Sequence, residues 1–359
     1  MIFRQLLDGA TSTYTYLLAD PSTRAAILID TVFEQHLRDV AILRELGLEL
    51  RWTLETHVHA DHVTGAWLLR EATGSQITAP ARAGVTGADR LLAHGDVVTC
   101  GAVALEVRET PGHTEGCVSY VLADHRMAFT GDALLIRGAG RTDFQGGDAA
   151  RLFHSVREQV FSLPSTCFVY PGHDYEGRTV TTVAEERAHN PRLGDHVREQ
   201  DFVGYMENLG LPHPKRMADA VPANLACGRP KDPNAGPRTP TWGPVIRTFA
   251  GVWEVPAEWV FKHRRELHVI DVREREEVVA SPLPQLHEAI VLPLSELRSK
   301  LDTVPRDRPV VLLCPAGARS AIAATILEKA GVQQVASMRG GILEWLALGF
   351  TAAELRTPA

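Results

Sequence analysis

Three histidines and an aspartate lie within six residues of this chain, in the segment THVHADH that spans residues 56–62. The segment directly follows the strand-like stretch LRWTLE, so we expect a β-strand to present these side chains at the edge of a sheet. Imidazole nitrogen and carboxylate oxygen suit zinc, iron or manganese, and no cysteine lies close enough in sequence to favour a thiolate site. The chain must therefore adopt a fold whose strands end in ligand-bearing loops.

Three further candidate ligands occupy equivalent places downstream. His113 lies in ETPGHT after VALEVRET, Asp132 in TGDALLI after RMAFT, and His173 in YPGHDY after CFVY. Strand ends that open onto one edge would let these side chains converge on the first cluster. The alternative, in which these histidines only cap turns or lie on the surface, requires several independent positions to coincide. We therefore predict a metal site.

A segment dense in glycine and proline divides the chain. Residues 227–244 contain eight of these residues and predict an irregular linker between domains at 1–226 and 245–359. The N-terminal part is rich in strand patterns and has a predicted helix from about residue 34 to 46. The C-terminal part alternates strands and helices, which predicts a parallel sheet covered by helices on both faces.

Composition narrows the class of protein. The length of 359 residues suits two domains, and a formal net charge of -7 argues against nucleic acid or an acidic membrane as the partner. We expect no membrane span and no secretory signal, because no apolar run approaches about 20 residues and the start lacks a basic segment before an apolar one. Five cysteines without a CxxC pair favour a reducing compartment, so we expect a cytoplasmic protein. The sequence leaves a homo-oligomer open.

A second site is predicted at Cys314. This cysteine ends the strand-like stretch PVVLLC, and the small residues of the loop at 314–320 precede a predicted helix. Backbone N–H groups of such a loop, the helix N-terminus and the positive charge of Arg319 would lower the thiol pKa and favour the thiolate. We therefore predict a nucleophile at Cys314 and treat the other four cysteines as small core residues.

The metal-site motif resembles the metallo-β-lactamase superfamily, over about residues 1–226. The resemblance implies an αββα sandwich, and it is shared by dinuclear zinc hydrolases such as glyoxalase II and by iron oxygenases. The stretches GDALLIRGAGRTDFQGG, YPGHDYEGRTVTTVAEERAHNPRL and FVGYMENLGLPHPKRMADAVPANLACG look more specifically like persulfide dioxygenases. These non-haem iron enzymes oxidise glutathione persulfide with dioxygen, giving sulfite and glutathione.

The resemblance implies one iron(II) per chain, held by His57, His113 and Asp132. The residues that match a second metal position, which the family leaves empty, are His59, Asp61, His62 and His173. Two imidazoles and one carboxylate leave open positions for a persulfide and dioxygen. A redox-inert zinc ion could only activate water, and a persulfide has no ester or amide for water to attack.

Glutathione carries two carboxylates, so cationic partners are expected around the metal. The resemblance implies that Arg141, Tyr175 and Arg192 contact glutathione. We add Arg178 as a further contact because of its charge and its place in HDYEGR. Guanidinium groups bind carboxylates with two parallel hydrogen bonds, and a tyrosine hydroxyl can hold a sulfur or a carboxylate.

The loop CPAGARS, together with DVRE at 271–274 and MRGGILEW at 338–345, resembles the single-domain rhodaneses over about residues 250–359. The fold class implied is therefore α/β (α+β): an αββα sandwich followed by a small parallel α/β domain. The resemblance implies that Cys314 carries a sulfane sulfur as a persulfide, with Arg319 and Arg273 as contacts for thiosulfate or sulfite.

The two domains together predict a bifunctional enzyme that uses glutathione persulfide, dioxygen, thiosulfate and sulfite. A rhodanese favours a persulfide at the metal, because it implies sulfane sulfur in the same protein. The direction of sulfur transfer stays open. Two other functions stay open as well: a dinuclear zinc thioesterase fused to a rhodanese, and a non-catalytic carrier of sulfane sulfur.

Overall fold

The protein consists of two compact units, Met1–Gly236 and Pro237–Ala359. The structure is a computed structural model that describes residues 1–232, 236–283, 286 and 288–350. Residues 233–235 of the predicted linker and 351–359 of the predicted C-terminal domain lie outside the described residues, and the predicted domain limits stay predictions. No helix in the described part of the chain is long and apolar enough to cross a membrane.

The first unit contains two six-stranded sheets. The first sheet has the strand order β1-β2-β3-β4-β5-β6, antiparallel up to β3 and parallel from β3 onward. Its strands are β1 (Ile2–Asp8), β2 (Thr13–Ala19), β3 (Ala25–Ile29), β4 (Glu49–Leu54), β5 (Gln76–Pro80) and β6 (Arg90–Leu92).

The second sheet has the order β12-β11-β10-β9-β8-β7 and is antiparallel except between β10 and β11. Its strands are β7 (Val97–Cys100), β8 (Val103–Glu109), β9 (Val118–Leu122), β10 (Met127–Gly131), β11 (Phe168–Pro171) and β12 (Thr181–Thr182).

Helices cover the outer face of each sheet, and the two inner faces pack on each other. All seven residues of β2 are buried, because Tyr16 and Leu18 face the second sheet while Leu17 and Ala19 face helices. The helices are α1 (His36–Glu45), α2 (Ala66–Thr73), α3 (Ala149–Ser155), α4 (Val183–His189), α5 (Glu199–Glu207) and α6 (Met217–Asn224), with a 3-10 turn at Phe33–Gln35 and a π-helical turn at Val156–Val160. The predicted αββα sandwich is confirmed.

The strands that were expected to carry the metal ligands form as predicted. β4, β8, β10 and β11 end at Leu54, Glu109, Gly131 and Pro171, a few residues before the four ligand-bearing loops. The helix predicted from about 34 to 46 is the turn at 33–35 followed by α1. It ends before Gly47, whose φ of 61° lies in the left-handed region that favours glycine.

The second unit is a six-stranded sheet in the order β13-β14-β18-β17-β15-β16. The predicted parallel sheet is confirmed, with the short antiparallel edge strand β13 added. The strands are β13 (Ile246–Arg247), β14 (Trp253–Val255), β15 (His268–Asp271), β16 (Ile290–Val291), β17 (Val310–Leu313) and β18 (Val335–Met338). The helices are α7 (Ala257–His263), α8 (Arg275–Ala280), α9 (Leu294–Leu297), α10 (Ala318–Lys329) and α11 (Gly341–Ala347), with a 3-10 turn at Leu301–Thr303.

Candidate active sites

His57, His113 and Asp132 form a compact cluster at the strand ends of the first unit. Each offers one ligand atom, and these atoms lie within 4.8 Å of one another. The rings of His57 and His113 are nearly perpendicular with centroids 4.9 Å apart, and His113 Nε2 is 3.7 Å from Asp132 Oδ2. Burial lowers the pKa of both imidazoles, so they are neutral as a metal ligand must be. The three donors therefore fit a divalent metal ion.

Hydrogen bonds fix the orientation of both imidazoles. His57 Nδ1 lies 2.9 Å from the hydroxyl of Thr56, which donates to Asp30 Oδ2 at 2.8 Å. His113 Nδ1 donates to the carbonyl of Arg141 at 2.6 Å. Such partners hold the ring of a metal-binding histidine and set which nitrogen faces the metal. Asp30 and Thr56 were not identified from the sequence, because only the fold brings Asp30 beside the cluster.

Close backbone approach around the cluster requires glycine. A Cβ atom on Gly140 would lie 2.3 Å from the carbonyl oxygen of Asp132 and 2.7 Å from His113 Nδ1. A Cβ atom on Gly172 would lie 2.7 Å from Asp132 Oδ1. All three distances are far below van der Waals contact, so these two glycines let the loops pass directly behind the ligands.

The residues of the predicted second metal position bond to one another. His173 lies between two carboxylates, with Nδ1 2.7 Å from Asp132 Oδ1 and Nε2 3.1 Å from Asp61 Oδ2. His62 Nδ1 lies 2.9 Å from the same oxygen of Asp61. Only one oxygen of Asp132 therefore faces the cluster with His57 and His113.

His59 is turned toward two buried carboxylates. Its Nε2 lies 3.2 Å from Asp30 Oδ1 and 3.3 Å from Glu55 Oε2. Burial alone would lower the pKa of His59, but these carboxylates outweigh it and raise the pKa to about 10. His59, Asp61 and His62 also form a group whose ligand atoms lie within 4.8 Å.

A cavity of about 330 Å³ opens onto the cluster and contains all four predicted substrate contacts. Arg192 donates through Nη1 to the carbonyl of Ala139 at 3.1 Å, and Arg178 donates through Nε to Asp174 at 2.9 Å. In the described residues the other guanidinium nitrogens of these two arginines have no hydrogen-bond partner. They are available to an anionic ligand.

Arg141 and Tyr175 line the same cavity as Arg178 and Arg192. All three guanidinium nitrogens of Arg141 are engaged, by the carboxylate of Asp143 and by the carbonyls of Leu211 and Pro212. Arg141 thus fastens the 211–212 segment to the loop behind His113, and four of its five guanidinium N–H groups are engaged in these bonds. Tyr175 is 70% exposed and its ring is parallel to that of His173, with centroids 6.1 Å apart.

Two residues that were not identified from the sequence hold the cavity wall. The fully buried Glu186 accepts hydrogen bonds from the backbone N–H and the guanidinium of Arg137, which lines the cavity. Asn190 donates to the carbonyl of Gly138 at 3.0 Å and accepts the N–H of Arg192 at 2.8 Å. No sequence pattern indicates this role, since both residues lie on or beside a helix that has the pattern of an ordinary surface helix.

Cys314 follows β17 and lies in a cradle of hydrogen-bond donors. Its sulfur is 3.2 Å from the backbone N–H of Gly317 and 3.5 Å from the hydroxyl of Ser320. Burial alone would raise the pKa of this thiol, but these hydrogen bonds, with those from the N–H groups of residues 316 and 320, lower it below its usual value. Burial raises the pKa of the other four cysteines, to about 12 for Cys117 and about 11 for Cys100, Cys167 and Cys227.

The loop is fixed by the turn that precedes α11. Gly341 has a φ of 59°, and a Cβ atom there would lie 2.3 Å from the carbonyl oxygen of Cys314. The N–H groups of Ile342 and Leu343 donate to the carbonyls of Cys314 and Pro315 at 2.9 and 3.0 Å. The MRGG segment therefore closes the back of the cradle.

Both arginines predicted to contact thiosulfate are paired inside the domain. Arg319 makes a bidentate ion pair with Glu277, at 2.6 and 2.8 Å, and lowers the pKa of that carboxyl to about 2. Arg273 is buried and engages Asp271 and the carbonyl of Ser281 through all three nitrogens. The contacts of Arg319 and Arg273 with thiosulfate stay a prediction. In this structure backbone N–H groups and a hydroxyl surround the sulfur, and Glu277 balances the charge of Arg319.

Comparisons with known proteins match both units. The metallo-beta-lactamase superfamily matches residues 8–173, and the rhodanese-like domain matches residues 257–348. The human protein named persulfide dioxygenase ETHE1, mitochondrial, is 50% identical over 228 residues, which cover 64% of this chain and 89% of that protein. The chain belongs to this family of metallo-beta-lactamase proteins. It carries a rhodanese-like domain in addition.

Solved structures agree with this membership. The crystal structure of ETHE1 from Myxococcus xanthus matches with a TM-score of 0.62 at 50% identity and covers 64% of this chain and 100% of that chain. A metallo-beta-lactamase structure from Staphylococcus aureus subsp. aureus COL, at 21% identity and a TM-score of 0.60, covers 94% of this chain and 98% of that chain and shows the fold alone. Membership implies a bound metal, and the rhodanese-like domain supports a role in sulfur metabolism.

Proposed function

We propose that the chain is a bifunctional enzyme whose N-terminal unit oxidises glutathione persulfide with dioxygen. One persulfide, one dioxygen and one water give glutathione, sulfite and two protons. The observation that carries this proposal is the cluster of two imidazoles and one carboxylate at the foot of an arginine-lined cavity. The 50% identity to persulfide dioxygenases supports the same reaction.

His57, His113 and Asp132 would hold one iron(II) per chain. When bound, iron(II) supplies the redox chemistry with dioxygen that zinc lacks. The protein's own part is to hold the ligands still: Thr56 and Asp30 orient His57, and the carbonyl of Arg141 orients His113. Three protein ligands leave room at the metal for both substrates.

Arg178 and Arg192 would bind the two carboxylates of glutathione. Both arginines line the cavity and keep guanidinium nitrogens without a partner among the described residues, whereas all three nitrogens of Arg141 are engaged. Apolar residues that line the same cavity, Phe144, Leu209 and Leu211, would exclude water from the persulfide. Tyr175, exposed above His173, would close over the bound tripeptide.

The C-terminal unit would transfer sulfane sulfur through Cys314. The thiolate attacks the outer sulfur of thiosulfate, the sulfur–sulfur bond breaks, and sulfite leaves with the electron pair. Glutathione thiolate then attacks the persulfide on Cys314, which restores the Cys314 thiolate and yields glutathione persulfide for the N-terminal unit. The N–H groups of residues 316 and 317 and the Ser320 hydroxyl would hold the negative charge throughout.

A second candidate function is a dinuclear zinc thioesterase. The observation in its favour is the group formed by His59, Asp61 and His62, which brings a second set of donors within 4.8 Å of one another. We also propose that the protein works in the cytoplasm, which the five free cysteines support.

Oxygen consumption with glutathione persulfide tests the main proposal. The iron-loaded chain should consume one dioxygen per persulfide, and His113→Ala should not. Cys314→Ser should abolish sulfur transfer from thiosulfate to glutathione while it leaves oxygen consumption intact. About two zinc ions per chain with no persulfide-dependent oxygen uptake would favour the thioesterase, and persulfidation of Cys314 without turnover would favour a carrier.

A further inference from the structure

Ser337 is a polar residue in a strand that is otherwise apolar. It lies on β18, whose four residues VASM are all buried, and its own side chain is fully buried. Its hydroxyl lies 2.8 Å from the Ser320 hydroxyl and has no other hydrogen-bond partner among the residues that the structure describes. Ser337 is outside the loop at 314–320 and outside the MRGG segment, yet it contacts a donor of the Cys314 cradle.

The register of the parallel sheet places this hydroxyl beside the nucleophile. Ser337 pairs with Leu312 of β17, and Cys314 follows two residues later, so all three side chains point to the same face of the sheet. Helix α10 packs on this face, and Ser320 lies in its first turn. Ser320, Ser337 and Cys314 are all buried, so bulk water does not compete for their hydrogen bonds.

The Ser320 hydroxyl has three polar neighbours and a single proton. Its oxygen lies 2.8 Å from Ser337 Oγ, 3.0 Å from the carbonyl oxygen of Gly317 and 3.5 Å from Cys314 Sγ. A hydroxyl donates one hydrogen bond and accepts up to two. The neighbour that receives the proton therefore decides whether Ser320 can donate to the sulfur.

Only one direction of the bond between the two serines leaves no buried proton without an acceptor. If Ser320 donated to Ser337, the proton of Ser337 would have no acceptor in the described part of the chain, and proteins rarely leave a buried donor unpaired. If Ser337 donates to Ser320, both protons have acceptors. The second direction is therefore favoured, and it leaves the proton of Ser320 for Gly317 or Cys314.

Negative charge on Cys314 directs that proton to the sulfur. The Gly317 carbonyl already accepts the N–H of Ala321 at 3.0 Å, so it keeps a donor when the Ser320 hydroxyl turns away. A thiolate can only accept, and hydrogen bonds to an ionised acceptor are about twice as strong as those between neutral groups. Hydroxyls in a chain also polarise one another, which strengthens the donor nearest the charge.

We propose that Ser337 is a positioning residue for the nucleophile: its buried hydroxyl donates to Ser320 and so leaves the proton of Ser320 for the Cys314 thiolate. Ser337 acts through Ser320, because its hydroxyl bonds to Ser320 and to no other described residue. The role rests on the sulfur transfer that the proposed function assigns to Cys314. It extends the cradle from the loop at 314–320 to the neighbouring strand.

A pH titration of the full-length chain tests the proposal without turnover. The absorbance of the Cys314 thiolate is measured as the difference from Cys314→Ser in the same background. Ser337→Ala removes one oxygen atom and should shift the midpoint of this titration to higher pH, because nothing then holds Ser320 as a donor to the sulfur. At a pH below the midpoint, kcat/KM for transfer from thiosulfate to glutathione should fall by about 2- to 10-fold, the equilibrium factor of one ordinary hydrogen bond.

A double-mutant cycle separates this role from a packing effect. Ser320→Ala alone should also shift the midpoint to higher pH. Ser337→Ala added to Ser320→Ala should cause no further shift, since the residue through which Ser337 acts is gone. A change in packing around Ser337 would shift the midpoint equally in both backgrounds.

The charged groups around the nucleophile loop stay the same in every variant. Those on the neighbouring elements form three ion pairs among themselves: Arg319–Glu277, Arg273–Asp271 and Arg339–Glu344. None of the substitutions changes these residues. A shift of the midpoint therefore reports on the hydroxyls.

Two variants serve as controls. Ser337→Thr keeps the hydroxyl and should keep the midpoint of the unmodified chain. Thr325→Val removes a hydroxyl from α10 that bonds only to the carbonyl of Ala321, at 3.1 Å, and should keep the midpoint as well. Urea unfolding checks that each variant is folded, and Ser337→Gly carries the same expectation as Ser337→Ala if the latter is not.

The outcomes distinguish this role from the proposed function. An unchanged midpoint in the folded Ser337→Ala or Ser337→Gly chain overturns the role of Ser337. An equal shift with and without the Ser320 hydroxyl overturns it as well, because Ser337 would then act by another route. Absence of transfer from thiosulfate to glutathione in the unmodified chain overturns the proposed reaction of Cys314 and leaves the result of the titration standing.

Discussion

Gly140→Ala should damage the metal centre although residue 140 binds no metal. The new Cβ atom would lie 2.3 Å from the carbonyl oxygen of Asp132, 2.7 Å from His113 Nδ1 and 2.9 Å from His113 Cγ. An ordinary contact begins near 3.4 Å, so backbone or ring must move by about 1 Å. The loop cannot simply retreat, because the N–H of Gly140 donates to that same carbonyl at 2.8 Å and the carbonyl of the next residue holds His113.

Two magnitudes follow from this geometry. Overpacking of a closely packed site costs about 1–3 kcal/mol of the free energy of unfolding. Displacement of a partner of a metal-binding histidine weakens metal affinity by about 10- to 100-fold. We expect both effects, measured by urea unfolding of the metal-free chain and by chelator competition for zinc or cobalt(II).

The same loop supplies a matched control. A Cβ atom on Gly138 would come no closer than 3.5 Å to Leu135 Cβ, so Gly138→Ala should change stability by less than about 0.5 kcal/mol and leave metal affinity intact. The reasoning is refuted if Gly140→Ala binds metal within twofold of the unmodified chain, or if Gly138→Ala loses as much affinity as Gly140→Ala.

Three further changes test other parts of the sites. Glu186→Ala should lower the free energy of unfolding by about 3 kcal/mol, because it leaves the backbone N–H and guanidinium of Arg137 without their buried acceptor; a loss below about 1 kcal/mol in urea unfolding would contradict this. Ser320→Ala should raise the pKa of the Cys314 thiol, since the thiolate loses a donor. The absorbance of the thiolate, measured in a pH titration as the difference from Cys314→Ser, should therefore appear at higher pH. An unchanged midpoint of this titration would show that the Ser320 hydroxyl does not face the charge of the thiolate. Arg192→Ala should raise KM for glutathione persulfide about tenfold or more with little change in kcat, and an equal fall in kcat would assign Arg192 to the reaction step instead.

Predictions from local sequence pattern succeeded where a short stretch fixes its own structure. Alternating or apolar runs such as LRWTLE and PVVLLC form β4 and β17, and the helix that follows Cys314 begins at Ala318 after a glycine with a φ of 94°. Edge strands such as β6, β12 and β13 were not identified. They have two or three residues each, so pairing with a neighbour defines them more than their own side chains do.

The predictions for the arginines as substrate contacts stay predictions, because they depend on long-range contacts that the sequence does not show. Arg141, Arg273 and Arg319 read as cationic substrate contacts, yet each is occupied by carboxylates or carbonyls of its own unit. A guanidinium is free or paired according to what lies around it in space. Glu277, which pairs with Arg319 from 42 residues away, carries no mark in the sequence that distinguishes it from the acidic residues beside it.

The sequence by itself determined which chemistry the chain can perform. The residues of THVHADH and of CPAGARS lie close together in sequence, and each segment follows a β-strand. The end of a strand places such a segment at one edge of a sheet, however the rest of the chain packs. Only the tertiary structure decided how many donors stay free for a metal and for a substrate. Asp30 and Glu186 lie 26 and 49 residues from Thr56 and Arg137, the residues that they hold, and their roles arise from hydrogen bonds that exist only when strands and loops distant in sequence are folded together.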